Sequence, residues 1–163
     1  MSDAHLAVYL HDHRAGAVAA VALLDHLEQS HAGTSLARFA ADLRTEIVAD
    51  VRELEGLMDR AGIGSSVARK TVGWLSAKVA ELKVRIDDPG DGALRLLETL
   101  EALALGIDGK RALWDALAAA AERAPVLSNL DYARLTGRAE AQRGIVEAQR
   151  VAAARAAFEG GHG

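Results

Sequence analysis

The stretch TSLARFAADLRTEIVADVRELEGLMDRAGIG, residues 34–64, decides the fold. Its apolar positions Leu36, Ala40, Leu43, Ile47, Leu54, Leu57 and Ala61 recur at alternating steps of four and three, with Asp50 on the same seam. That spacing lines side chains along one face of a helix, which the two-residue alternation of a strand does not do. Thr34 or Ser35 offers a hydroxyl to cap the start, and Gly62-Ile63-Gly64 closes the end. A helix over about 35–61 follows.

The same period continues on both sides. Upstream, Leu6, Leu10, His13, Ala17, Ala20, Leu24 and Leu27 predict a first helix over about 4–30, stopped at His31-Ala32-Gly33. Downstream, Ala68, Val72, Leu75, Val79, Leu82 and Ile86 predict a third over about 66–86. Its other face is basic, with Arg69, Lys70, Lys78, Lys83 and Arg85 against Glu81 alone. Asp87-Asp88-Pro89-Gly90-Asp91-Gly92 is the clearest break in the chain, since proline and glycine both oppose helix. A fourth helix over about 93–123 has the seam Leu96, Leu100, Leu103, Ile107, Lys110, Trp114 and Leu117. It carries Gly106 and Gly109, each unfavourable by about 1 kcal/mol in a helix unless close packing compensates. Pro125 ends it. Asn129 or Asp131 starts a last helix over about 131–158, with Tyr132, Leu135, Ala139, Gln142, Val146, Gln149, Ala153 and Ala156 on its seam. The glycine-rich tail after it is expected to fray.

Composition agrees. The chain is rich in alanine, leucine, arginine and glutamate, has two prolines and only 4% aromatics, and shows no strand-like runs. The fold class is all-α. A length of 163 residues suits one domain, 1–163. The absence of cysteine excludes disulfides, thiolate ligands and cysteine nucleophiles. No basic n-region precedes an apolar stretch, and no apolar run reaches the roughly 20 residues that span a bilayer. The expected location is therefore cytoplasmic, with no transmembrane segment. A net charge of −4 argues against a general nucleic-acid binder.

Short connections make the first and second helices antiparallel, and likewise the fourth and last. A third helix of that length carries the chain back along the bundle, leaving the second and fourth parallel. A plain five-helix up-down bundle fits the same lengths. Three segments also carry a family likeness: Tyr9-Leu10-His11-Asp12-His13-Arg14-Ala15-Gly16, the acidic run from Glu46 to Met58, and the run from Glu101 to Lys110. Over most of its length the chain resembles an uncharacterised bacterial branch of the ferritin-like four-helix-bundle superfamily. The resemblance implies a four-helix bundle whose long crossover is itself helical, five helices in all. It implies no activity.

Ferritin-like di-metal centres draw a Glu from each of two helices and a Glu-x-x-His from each of the other two. Here Glu28…His31 and Glu159…His162 have that spacing, but both sit at helix ends beside glycine. Within the helices, Ala49 stands where a ligand histidine is needed after Glu46, and Arg143 stands three residues after Glu140. Arginine carries no lone pair to give a metal. A divergent iron or manganese site would be built from His13, Glu46, Asp50, Glu101 and Glu140, but no cofactor is expected. The alternative is a buried polar layer. Measured from the helix midpoints, His13, Asp50, Lys110 and Gln142 fall at one level, with Glu53 and Glu140 flanking. Asp50 and Lys110 then need each other or other polar partners. Such a layer sets helix register, or forms a small binding or proton-transfer site with His13 titrating near neutrality.

Three function classes follow. The first is a non-catalytic interaction or stress-associated bundle that pairs with another protein or forms a homodimer through its alanine-rich last helix. The second is a divergent metal-binding oxidoreductase or metal-storage protein. The third is a peripheral binder of anionic surfaces through the basic face of 66–86. No phosphate loop, nucleophile elbow or zinc-protease motif appears.

Overall fold

The structure, a computed structural model, describes residues 3–64 and 92–159. These form four α-helices: α1 (Asp3–Ser30), α2 (Ser35–Arg60), α3 (Gly92–Ala121) and α4 (Tyr132–Glu159). A single 3-10 turn, Pro125–Leu127, lies before α4. No strand occurs among the described residues. The helix expected over 66–86, and with it the count of five, lies outside them.

Local chemistry fixes the ends. At the α1–α2 turn Gly33 takes φ 82°, and the Thr34 hydroxyl accepts the Ala37 N–H at 3.2 Å to cap α2. At the far end of α2 Gly62 has φ 67°. The Ile63 N–H reaches the Met58 carbonyl at 2.9 Å and the Gly62 N–H reaches that of Asp59 at 3.1 Å. This is a Schellman closure, and it needs a residue free to adopt positive φ. The Asp131 carboxylate caps α4 by accepting the Arg134 N–H at 3.0 Å. Tyr132 fastens the preceding turn by donating its hydroxyl to the Leu127 carbonyl at 2.6 Å.

Ion pairs between helices reveal the directions. Arg14 meets Glu55 at 2.7 Å and Arg44 meets Asp25 at 2.6 Å, so α1 and α2 are antiparallel. Arg143 meets Asp108 at 3.2 Å and Arg150 meets Glu101 at 3.4 Å, so α3 and α4 are antiparallel as well. Arg134 meets Glu53 at 2.7 Å while Arg138 meets Asp50, which sets α2 antiparallel to α4. It follows that α2 and α3 run the same way.

Apolar burial forms two clusters. One gathers Leu24, Leu43, Ile47, Leu100, Ile107 and Val146, and the other Leu10, Leu54, Leu57, Trp114, Leu117 and Leu135. Asp50 lies between Ile47 and Leu54 on α2, Lys110 between Ile107 and Trp114 on α3, and Gln142 between Leu135 and Val146 on α4. The polar residues thus stand where one apolar cluster gives way to the next.

Candidate functional site

Asp50 is the hub of a buried network. Its side chain is 3% exposed, and that of Lys110 only 11%. Asp50 Oδ2 accepts from Lys110 Nζ at 2.5 Å and from Gln142 Nε2 at 3.1 Å, and Lys110 Nζ also donates to Gln142 Oε1. The other carboxylate oxygen, Oδ1, accepts from Arg138 Nε at 2.7 Å and from its Nη2. One carboxylate therefore holds two cations and one amide through four donor atoms. Burial pushes the Lys110 ammonium below its usual range and Arg138 adds to this, while Asp50 and, at longer range, Glu46 pull it back up.

Beside the network lies a cavity of about 280 Å³ between α1, α2 and α3. Its walls are mostly aliphatic, with Asp50 and Lys110 on one side and Asp12 and His13 on another. The exposed Asp12 and Gly106 stand at its mouth. Burial pushes His13 below the ordinary histidine value despite the neighbouring Asp12, so the ring is mainly neutral at pH 7. Tyr9 packs edge-on against it, ring centres 4.6 Å apart. Trp114 also lines the cavity, is 1% exposed, and its indole N–H is buried with no acceptor among the described residues.

Three helical glycines, Gly16, Gly106 and Gly109, line this same cavity. None has a positive φ, and a Cβ added at any of them meets nothing within 4 Å. Backbone strain and close helix packing, the two usual reasons for a glycine inside a helix, are both absent here. What the three share is that they leave the cavity open.

The structure brings Asp50, Lys110 and Gln142 into one hydrogen-bonded set. The expected fourth member of that layer, His13, is only half-buried and makes no hydrogen bond among the described residues, although it lines the adjoining cavity. The buried histidine of α1 is instead His11, 4% exposed, whose Nε2–H donates to the Gly64 carbonyl at 3.0 Å. It is drawn inward because the end of α2 supplies an acceptor there. Arg138, absent from the expected layer, is part of the network. Its signal was present in the sequence, since it lies one turn before Gln142 on the same face of α4.

The residues of the alternative metal centre do not assemble. Glu101 is exposed and pairs with Arg150 at 3.4 Å, and the exposed Glu140 pairs with Arg111 at 3.6 Å. Asp50 gives its oxygens to Lys110, Arg138 and Gln142, two of them cations. Glu46 is half-buried and feels Lys110 only at longer range. Among the described residues no group of three or more His, Asp or Glu side chains is placed to hold a metal ion. Of the Glu-x-x-His pairs, Glu28 meets Arg44 at 2.5 Å and His31 bonds the Leu27 carbonyl at 3.1 Å, while His162 lies outside the described residues. The donors present do not fit a di-metal group. No described helix is long and apolar enough to cross a membrane.

Comparison of the chain with protein-family models, with curated proteins and with solved structures finds no match.

Proposed function

We propose that this chain is a non-catalytic, ferritin-like helical bundle that binds a small apolar molecule in the cavity between α1, α2 and α3. The parallel run of α2 and α3 supports the ferritin-like reading, because bundles with one long crossover have that direction pattern. Binding rests on one observation: Gly16, Gly106 and Gly109 leave a 280 Å³ space open beside the buried core. Each helical glycine is less stable than alanine by about 1 kcal/mol, so an empty space kept at that cost points to an occupant. The Asp50 side of the polar wall supports the non-catalytic reading. Asp50 is saturated by its partners and is not available as a general base.

The experiment is a titration with 1-octanol followed by the emission of Trp114, in a Trp74→Phe background that removes the other tryptophan. A saturable change that disappears in Gly109→Leu, with helical circular dichroism retained, is the expected result. Absence of saturation, or an unchanged response in the filled variant, overturns the reading.

A further inference from the structure

The cavity offers a ligand hydrogen bonds of one kind on its α3 wall. Gly106, Lys110 and Trp114 are successive turns on one face of α3, since residues four apart are neighbours along a helix. Gly106 opens the space. Lys110 has three N–H groups, of which Asp50 and Gln142 accept two, so among the described residues one donor remains. Trp114 contributes an indole N–H that no described residue accepts. Across the cavity His13 keeps one N–H and one bare nitrogen. Every other side chain of the α3 wall is apolar or glycine.

Charge points the same way within the bonded network, where Asp50 faces both Lys110 and Arg138 and leaves one positive charge over. Two further acids are near. Glu46 acts on Lys110 from a distance without a hydrogen bond to it, and Asp12 is exposed to water at the mouth. Neither reaches the third Lys110 donor. A buried ammonium with an unused N–H, on a residue one turn from Trp114 and its unaccepted indole N–H, calls for an anionic acceptor more than for a hydroxyl or an amine.

Resting on the cavity-binding reading above, we infer that the ligand is a monocarboxylate with a compact apolar body, its head on Lys110 Nζ and the Trp114 N–H. The size follows from the space: a dry cavity of about 150 Å³ takes benzene, so one of 280 Å³ takes a body of about ten heavy atoms. Straight-chain and aryl acids of that size share the chemistry.

Isothermal titration calorimetry of the unaltered chain with octanoate and with 1-octanol at pH 7.5 tests this, because the two differ only at the head. Octanoate is expected to bind about tenfold tighter. In Lys110→Met, where Arg138 still holds Asp50, that preference is expected to vanish while octanol binding persists. Equal affinities in the unaltered chain, or tighter binding of the alcohol, overturn the carboxylate inference and leave the apolar cavity standing. Binding of neither overturns both. A preference that survives Lys110→Met places the head elsewhere and also overturns the inference.

Discussion

Asp50→Ala is the perturbation that most directly tests how the core is held. Among the described residues Asp50 is the only carboxylate in hydrogen-bond contact with Lys110 or with Arg138, and its removal leaves there an ammonium 11% exposed with Gln142 as its one remaining described partner. Deleting one member of a buried pair costs about 3–5 kcal/mol, chiefly because the other charge is stranded. Arg138 is 27% exposed and can turn toward water, and Lys110 can shed its proton more easily than an ordinary lysine, so the lower half of that range applies. Lys110→Met is milder, about 1–2 kcal/mol, because Arg138 and Gln142 still satisfy Asp50. Urea unfolding followed by circular dichroism measures all three variants, the double included. The double should be less destabilised than the sum by about 1–2 kcal/mol, since the second change strands nothing new. Additivity within about 0.5 kcal/mol, or a loss below about 1 kcal/mol for Asp50→Ala, would refute the argument.

Further expectations follow from the same geometry. Gly109→Ala adds a Cβ into open space and should stabilise the chain by about 0.5–1 kcal/mol in urea unfolding; a loss of stability means something occupies that space. Glu147 is held down to about 2 by Arg150 and Arg143, so its contribution is present above pH 4.5 and lost as pH falls toward 2. Glu147→Gln should therefore flatten the fall in stability across that window, and an unchanged acid profile contradicts the pairing. His13 should titrate below 6.5 by NMR. Its depressed value means the unfolded chain takes the proton first, so stability should drop as pH falls from 6.5 through the folded value, and His13→Gln should remove that component. Thr34→Ala should cost about 1 kcal/mol by uncapping α2, read as a lower midpoint in thermal melts.

The helices were legible because one period runs through them. Leu43, Ile47, Leu54 and Leu57 are buried where their spacing places them, and the glycines at 33 and 62 stop the helices where left-handed backbone is needed. Height along each axis brought Asp50, Lys110 and Gln142 to one level, since rise per residue is constant in a helix. Rotation about the axis was less legible. His13 and His11 are two residues apart and point to different faces, and which one goes inward depends on the Gly64 carbonyl at the end of another helix. Arg138 stands beside the seam, one turn before Gln142, so its place is legible from helical spacing although seam counting alone leaves it out. The cavity left no periodic trace. Gly106 and Gly109 looked like candidates for close packing, and only the arrangement of α1 against α3 distinguishes that from open space.

The network also decides which of several apolar registers the bundle adopts. Leucine and alanine seams pack nearly as well after one helix slides by a turn, because one aliphatic contact replaces another. Such a slip moves α4 by about 5.4 Å along α2. Gln142 then leaves Asp50, and a carboxylate 3% exposed is left beside Val146 or Ala139, the apolar neighbours of Gln142 on its seam. Asp50 then keeps Lys110 but loses its bonds from α4, and each such charge-assisted hydrogen bond favours the observed register by about 1.5–3 kcal/mol. Register and ligand binding thus use different atoms of one network. Asp50 Oδ1 and Oδ2, Arg138 and Gln142 fix the helices, while Lys110 also lines the cavity. A substitution such as Lys110→Met can therefore alter what the cavity accepts without releasing the bundle, whereas Asp50→Ala disturbs both.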